Sequence, residues 1–146
     1  MAKKHNNYLY NCDQVRALDR LAIDRDNISG LQLMKRAGMA IFKHILQHYS
    51  KHAVTVFCGS GNNGGDGYIV ATLAKEKGIA VQLIYLKHPQ QLKGDAKLAY
   101  EIANKAGVPM TDFSPDMLLE DCVIVDALLG TGLNGSVRRS YFDAIK

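Results

Sequence analysis

The stretch GSGNNGGDGY, residues 59–68, combines residue types that favour binding of a ligand or a cation. It follows the apolar run AVTVFC, residues 53–58, and contains five glycines, where a structural turn needs one or two. Hard side-chain oxygens suit cations and hydroxyl groups, and glycines let the backbone approach a ligand closely. The alternative is a loose turn whose polar side chains cap a helix. The candidate ligand contacts are Asn62, Asn63, Gly64, Gly65 and Asp66.

A second glycine-rich stretch, GTGLNGSVR at 130–138, follows the apolar run that begins at residue 122. That run carries Asp126, and a carboxylate at the end of a buried strand costs free energy unless it has a partner. We therefore expect Asp126 to have a functional role, with capping or backbone pairing as the alternative. The glycines predict a nest of backbone N–H groups that binds an anion. Arg138, at the end of this stretch, is a candidate to bind a phosphate.

The first stretch also matches the dinucleotide fingerprint G-x-G-x-x-G through Gly59, Gly61 and Gly64. That fingerprint requires an acidic residue at the end of the next strand, where this sequence has Tyr-Leu-Lys at 85–87. A redox dehydrogenase with bound NAD is therefore disfavoured. No Lys-Ser or Lys-Thr pair follows the glycines, which excludes a Walker loop.

Apolar periodicity indicates the elements that must position these two stretches. Continuously apolar strands that alternate with helices are typical of a parallel sheet covered on both faces. The predicted fold is α/β, a Rossmann-like three-layer α/β/α sandwich with a mostly parallel sheet and two N-terminal helices. Strands are predicted at 53–58, 80–86, 108–113 and from 122. Helices are predicted after the capping pair Asn11 and Gln14, from Ser29 or Gly30, over 66–77 and 91–106, from Ser114-Pro115-Asp116, and over 138–146.

Composition excludes several classes of protein. A chain of 146 residues with 47% hydrophobic and 22% charged residues is typical of one globular domain. No apolar run reaches 18 residues and the N-terminus lacks a signal-peptide core, so we expect neither membrane nor secretion. The net charge of +4 comes from scattered lysines, which argues against nucleic acid as a partner. Three cysteines without metal-site spacing favour the cytoplasm.

Taken together, the two motifs resemble those of a known family. GSGNNGGDGYIVATLAK followed by VDALLGTGLNGSVR is similar to the NAD(P)HX epimerase family, the YjeF-type N-terminal domain. ALDRLAID and GLQLMKRAGMAIF resemble its N-terminal helices, so the similarity covers essentially the whole chain. The resemblance implies an isomerase that interconverts the R and S forms of hydrated NADH and NADPH (NADHX and NADPHX) in nicotinamide nucleotide repair. It also implies a homodimer and, in many bacteria, fusion to an ADP/ATP-dependent NAD(P)HX dehydratase domain.

The resemblance further implies roles for individual residues. The stretch 62–66 would contact NAD(P)HX, and Asn63 would also bind a potassium ion (K⁺). Asp126 would bind the same ion beside the reacting ring, and we expect it to act as general acid or base with Lys87 as its helper. The phosphate region of the ligand would be wrapped by Gly130, Thr131, Gly132, Leu133, Asn134, Gly135 and Ser136.

One stretch of the family pattern is missing. The next strand of the family normally carries a D-x-P-S-G stretch, which this sequence does not contain. We therefore expect residues 1–146 to be an incomplete epimerase domain, truncated at the C-terminus. The same domain type also occurs as a non-catalytic, nucleotide-binding and dimerising assembly module. Assembly modules of this type tend to lose the site residues. The presence of Asn63, Asp66, Lys87 and Asp126 therefore favours an enzyme over an assembly module.

Overall fold

The computed structural model describes residues 9–133 and 135–146, in which five α-helices accompany a four-stranded sheet. No helix in this part of the chain is long and apolar enough to cross a membrane. The helices are α1 (Cys12–Asp26), α2 (Gly30–Tyr49), α3 (Asn62–Glu76), α4 (Gly94–Lys105) and α5 (Arg139–Ile145). The strands are β1 (Ala53–Cys58), β2 (Val81–Tyr85), β3 (Met110–Asp112) and β4 (Cys122–Ala127).

Local sequence sets the starts of the first two helices. Asn11 and Gln14 exchange two side-chain-to-backbone hydrogen bonds of 2.9 Å at the start of α1. Ser29 and Gln32 form the same capping box at the start of α2, with bonds of 2.9 and 3.2 Å. Each box satisfies backbone N–H groups that the helix itself leaves without acceptors. Both predicted helix starts are confirmed.

The four strands are all parallel and lie in the order β3-β2-β1-β4. At the end of β1, Cys58 pairs with Tyr85 of β2 on one side and with Ala127 of β4 on the other. The predicted Rossmann-like α/β fold is therefore confirmed. Because the strands are parallel and in register, the two glycine-rich stretches leave the sheet side by side at its carboxyl edge.

The sheet has two different faces. Helices α2, α3 and α4 pack against one another over one face, where alternate residues of β1 such as Val54 and Val56 are fully buried. The opposite face carries a smaller apolar cluster in which Phe57 and Ile84 pack with Tyr141 of α5. Period-two alternation along the strands separates the two clusters.

The start of α3 differs from the prediction, since the helix begins at Asn62 rather than near Asp66. Glycine has a low helix propensity, so the sequence pattern indicated a loop over these residues. Tertiary packing overrides that propensity. A Cβ atom on Gly67 would lie 2.7 Å from Cys58 Sγ, and one on Gly65 would overlap the end of Met34. The glycines therefore allow α3 to pack closely on β1 and α2.

Two further predictions of helix starts are wrong. A short 3₁₀ turn occupies Pro89–Gln91, and α4 begins only at Gly94. The helix predicted from Ser114 is a single turn, closed by a 3.1 Å bond from the Met117 N–H to the Ser114 carbonyl. One hydrogen bond does not offset the entropy of ordering a first helical turn, and β4 begins too soon to extend it.

Candidate functional site

A cavity of about 800 Å³ lies at the carboxyl edge of the sheet. Five parts of the chain form its walls: α1, the β1–α3 junction, the segment after β2, the segment after β4, and the start of α5. Its lining residues are Val15, Arg16, Asp19, Ser60, Gly61, Asn62, Asn63, Asp66, Lys87, Leu128, Leu129, Gly130, Thr131, Gly132, Leu133, Ser136, Arg138 and Tyr141. This position is the one at which open parallel sheets bind ligands.

The N-terminus of α3 forms one wall. Its N-cap residue, Gly61, has no side chain to accept a hydrogen bond from the first turn. Among the described residues, no side chain caps the first N–H groups of this helix, and the helix dipole adds positive potential at the same place. Gly61 and Asn62 line the cavity here. This wall favours an anionic or strongly polar ligand group.

The segment after β4 forms the facing wall and is held by two polar side chains. Asn63 Nδ2 donates a 3.0 Å hydrogen bond to the carbonyl of Leu129. Asp126 Oδ1 accepts a 2.9 Å hydrogen bond from the N–H of Leu128. A Cβ on Gly130 would lie 3.1 Å from the Cβ of Asn63, so the two walls approach closely. The bond from Asn63 fixes the backbone of this segment relative to α3, and the bond to Asp126 fixes its start relative to β4.

Tyr141 of α5 connects the same region to β1. Its hydroxyl accepts a 3.2 Å hydrogen bond from the Ser60 N–H and donates to Ser60 Oγ at 3.4 Å. The ring is buried against Phe57 on the second face of the sheet. Tyr141 therefore holds the residues that follow β1 in place while its own edge lines the cavity.

Charges of both signs line the cavity: Arg16, Lys87 and Arg138 are positive, and Asp19 and Asp66 are negative. Arg16 and Arg138 line only this cavity, whereas Asp19 and Asp66 also line a neighbouring cavity of about 200 Å³. Partial burial raises the pKa of Asp66 to about 6, and the negative charge of Asp19 acts in the same direction. Asp66 therefore changes its protonation state close to neutral pH.

Replacing Asp66 by Asn should stabilise the fold at pH 7.5 and have little effect at pH 4. The pKa of about 6 lies above the usual 3.8, so the folded state favours the protonated carboxyl. The contribution of this carboxyl to the free energy of unfolding is fully present below pH 3.8 and is lost as the pH rises through 6. We expect Asp66→Asn to raise the free energy of unfolding at pH 7.5 by about 1 kcal/mol. This is less than the full pKa shift of Asp66 implies, because its carboxyl is partly solvated. Urea unfolding at both pH values measures it.

Asp116→Asn, which changes an exposed carboxylate in a turn, is the matched control for this measurement. It should alter the free energy of unfolding by less than about 0.5 kcal/mol at either pH. A gain for Asp66→Asn that is equal at pH 4 and pH 7.5 would contradict the role of ionisation.

The structure brings most of the predicted site residues to this cavity, but not all of them. Gly64 and Gly65 are buried inside α3 and do not line it. Asp126 is exposed on β4, does not line the cavity, and accepts a hydrogen bond from the N–H of the lining residue Leu128. Gly135 lies outside the lining with φ +83°, and Asn134 lies outside the described residues. The predicted residues that do line it are Asn62, Asn63, Asp66, Lys87, Gly130, Thr131, Gly132, Leu133 and Ser136.

Sequence reasoning missed the contribution of α1. Val15 and Asp19 are four residues apart, so they share one helix face, and Arg16 lies beside them. An acidic residue next to the apolar stripe of an amphipathic helix was the available signal. Tyr141 was also missed, because its bond to Ser60 joins residues 81 positions apart.

The comparisons with known proteins agree with the two motifs. The family described as YjeF-related protein N-terminus matches residues 30–146. The bifunctional NAD(P)H-hydrate repair enzyme Nnr of Coxiella burnetii is 43% identical over 91% of this chain. The NAD(P)H-hydrate epimerase of Pirellula staleyi is 33% identical over 94% of it. The chain spans 27% and 64% of the lengths of these two relatives.

A solved structure agrees at the level of the fold. The crystal structure of yeast ynu0 superposes with a TM-score of 0.76 at 23% identity, over 94% of this chain and 63% of the yeast chain. The family match extends from the first residue of α2 to the last residue of α5 and beyond it to Lys146, and thus includes both glycine-rich walls of the cavity. This chain belongs to the family of YjeF-related protein N-terminal domains.

Proposed function

We propose that this chain epimerises the R and S forms of hydrated NADH and NADPH, NADHX and NADPHX, in nicotinamide nucleotide repair. The observation that carries the proposal is the similarity to an NAD(P)H-hydrate epimerase along 94% of the chain. The cavity supports it, because about 800 Å³ is typical of sites for cofactor-sized ligands. Both motifs that carry the resemblance contribute to its walls.

Epimerisation requires the hydroxyl on the hydrated carbon to leave and return, or the ring to open. Either route needs groups that donate and accept a proton near the ring. We propose Asp126 and Lys87 for these roles. Lys87 lines the cavity, and the carboxylate of Asp126 is bound to the N–H of Leu128, which also lines it. Asp66, with its pKa of about 6, is a further lining group suited to proton transfer near neutral pH.

We also propose that Asn63 and Asp126 bind a potassium ion. Asn63 uses its amide nitrogen to bond Leu129, which leaves its oxygen for a cation. One oxygen of Asp126 accepts the Leu128 N–H, and the second is available in the same way. The backbone partners of these two side chains, Leu129 and Leu128, are adjacent in the chain, and hard amide and carboxylate oxygens are ligands that suit such an ion. When bound, the ion would supply positive charge close to the ligand.

We propose that the chain forms a homodimer and lies in the cytoplasm. We also propose that it belongs to a longer protein that contains a dehydratase domain. Exposed apolar side chains of α1, including Leu18 and Leu21, support dimerisation. The three cysteines form no disulfide, which agrees with a reducing compartment. The name of the Coxiella burnetii relative, a bifunctional repair enzyme, supports the fusion. Light scattering tests the dimer, and a mass of 16.1 kDa in solution would contradict it.

The epimerase assay supplies pure R-NADPHX together with an S-specific dehydratase and ATP, and follows the formation of NADPH. The chain should raise the rate well above the spontaneous rate, and replacing K⁺ by N-methylglucamine should lower that rate at least about tenfold. Asp126→Ala should abolish the K⁺-dependent conversion. No acceleration by the wild-type chain, whether alone or extended at its C-terminus, would contradict the enzyme and favour the assembly module.

A further inference from the structure

Helix α1 packs against α2 and borders the cavity through Val15, Arg16 and Asp19. None of its residues, Cys12–Asp26, is buried in the apolar core. Its long-range polar contact is made by Arg16, whose Nη2 donates a hydrogen bond to the carbonyl of Thr131. The two residues are 115 positions apart in sequence. Arg16 therefore ties α1 to the segment after β4, which is one wall of the candidate site.

The head group of Arg16 has donors beyond that one bond. A guanidinium carries five N–H groups in a planar fork and has no acceptor. Its Nη1 lies 3.6 Å from Asp13 Oδ1, an exposed ion pair that contributes little to stability. No other hydrogen bond from this head group is found within residues 9–133 and 135–146, and the side chain is 45% exposed where it lines the cavity.

The surroundings of Arg16 favour an anion. Arg138 also lines this cavity, and the N-terminus of α3 adds N–H groups without side-chain acceptors. Asp19 and Asp66 line both this cavity and the smaller one, and neither arginine lines the smaller one. Arg16, Arg138 and the first turn of α3 thus supply positive charge and N–H donors to the larger cavity.

We propose that Arg16 binds a phosphate group of the dinucleotide while it positions the segment around Thr131. This inference rests on the proposed function, since the ligand class follows from it. The phosphate is either the bridging diphosphate, which NADHX and NADPHX share, or the 2′-phosphate, which only NADPHX carries. Bidentate donation by arginine to phosphate oxygens is the interaction expected in both cases.

The test compares Arg16→Gln and Arg16→Lys with the wild-type chain in the epimerase assay, on NADHX and NADPHX separately. Arg16→Gln should raise KM at least about tenfold and change kcat by less than about twofold, and lysine should restore part of the loss. Asp13→Asn, which removes only the exposed ion pair, is the matched control. A rise in KM for both substrates shows that Arg16 binds the diphosphate. A rise confined to NADPHX shows that it binds the 2′-phosphate. Unchanged KM on both substrates overturns the proposal.

Two further measurements distinguish phosphate binding by Arg16 from a purely structural role of its side chain. A phosphate contact makes KM rise with added NaCl at constant K⁺, and Arg16→Gln should flatten that dependence, which a structural role alone would not do. If the wild-type chain shows no epimerase activity, calorimetric titration with NADP⁺ tests phosphate binding by Arg16 directly. Tight binding by the wild type that is weakened about tenfold in Arg16→Gln supports the phosphate site, and equal or absent binding overturns it.

Discussion

Replacing Asn63 by Ala should lower kcat/KM for NADPHX epimerisation about 100-fold. The change removes the 3.0 Å bond to the Leu129 carbonyl, which holds the segment after β4 against α3. It also removes the amide oxygen proposed as a K⁺ ligand, and loss of a ligand or of its support typically costs 10- to 100-fold in activity. Steady-state kinetics over a range of K⁺ concentrations measures both effects.

Asn104→Ala, at an exposed position near the end of α4, is the matched control for the same side-chain truncation. It should leave kcat/KM within about twofold of the wild-type value. For Asn63→Ala we also expect the K⁺ concentration at half-maximal activity to rise. A kcat/KM within about threefold of wild type, with unchanged K⁺ dependence, would contradict both proposed roles of Asn63.

Replacing Gly64 by Ala should destabilise the fold by about 3 kcal/mol. An added Cβ would overlap the carbonyl oxygen of Gly59, and a Cβ on Gly59 would in turn overlap the carbonyl oxygen of Leu128. These obstacles are backbone atoms and cannot move away by rotating a side chain. The ends of β1 and β4 and the start of α3 approach one another at these two glycines. Urea unfolding at constant pH measures the loss.

Gly61→Ala is a control within the same motif, because an added Cβ there has no neighbour within 4 Å and its φ is −97°. We expect the free energy of unfolding to change by less than about 0.5 kcal/mol, since a less favourable N-cap and a less flexible unfolded chain oppose each other. Equal stabilities of Gly61→Ala and Gly64→Ala would show that α3 can shift away from β1 at no cost.

The contrast between these glycines shows what a motif conveys and what it omits. The five glycines of residues 59–68 predicted a ligand site at the carboxyl end of β1, and the cavity lies there. The pattern did not distinguish Gly61, which lines the cavity, from Gly64, Gly65 and Gly67, which are buried within α3. Local residue types are identical in both cases, and only the neighbouring chain segments differ.

The polar and charged residues predicted for the site also differ in whether they line the cavity. Asp66 and the two asparagines were predicted from their residue types after the first strand and Lys87 from the family resemblance, and all four line the cavity. Asp126 was predicted from its place at the end of β4; it is exposed there, outside the lining, and accepts a hydrogen bond from the Leu128 N–H. In the register of the sheet, Asp126 is paired with Phe57 and so belongs to the face opposite α3. Period-two alternation decides this, and it depends on the residue at which β4 begins.

The sequence by itself determined the α/β fold, the order of its elements, the first two helix starts and the two motifs that place the chain in its family. Those features arise from local periodicity, capping chemistry and short residue patterns. Only the tertiary structure decided that α1 supplies Arg16 and Asp19 to the cavity and that Tyr141 supports Ser60. The hydrogen bonds of Tyr141 and Arg16 join residues 81 and 115 positions apart, and they depend on how whole elements pack rather than on any pattern within one of them.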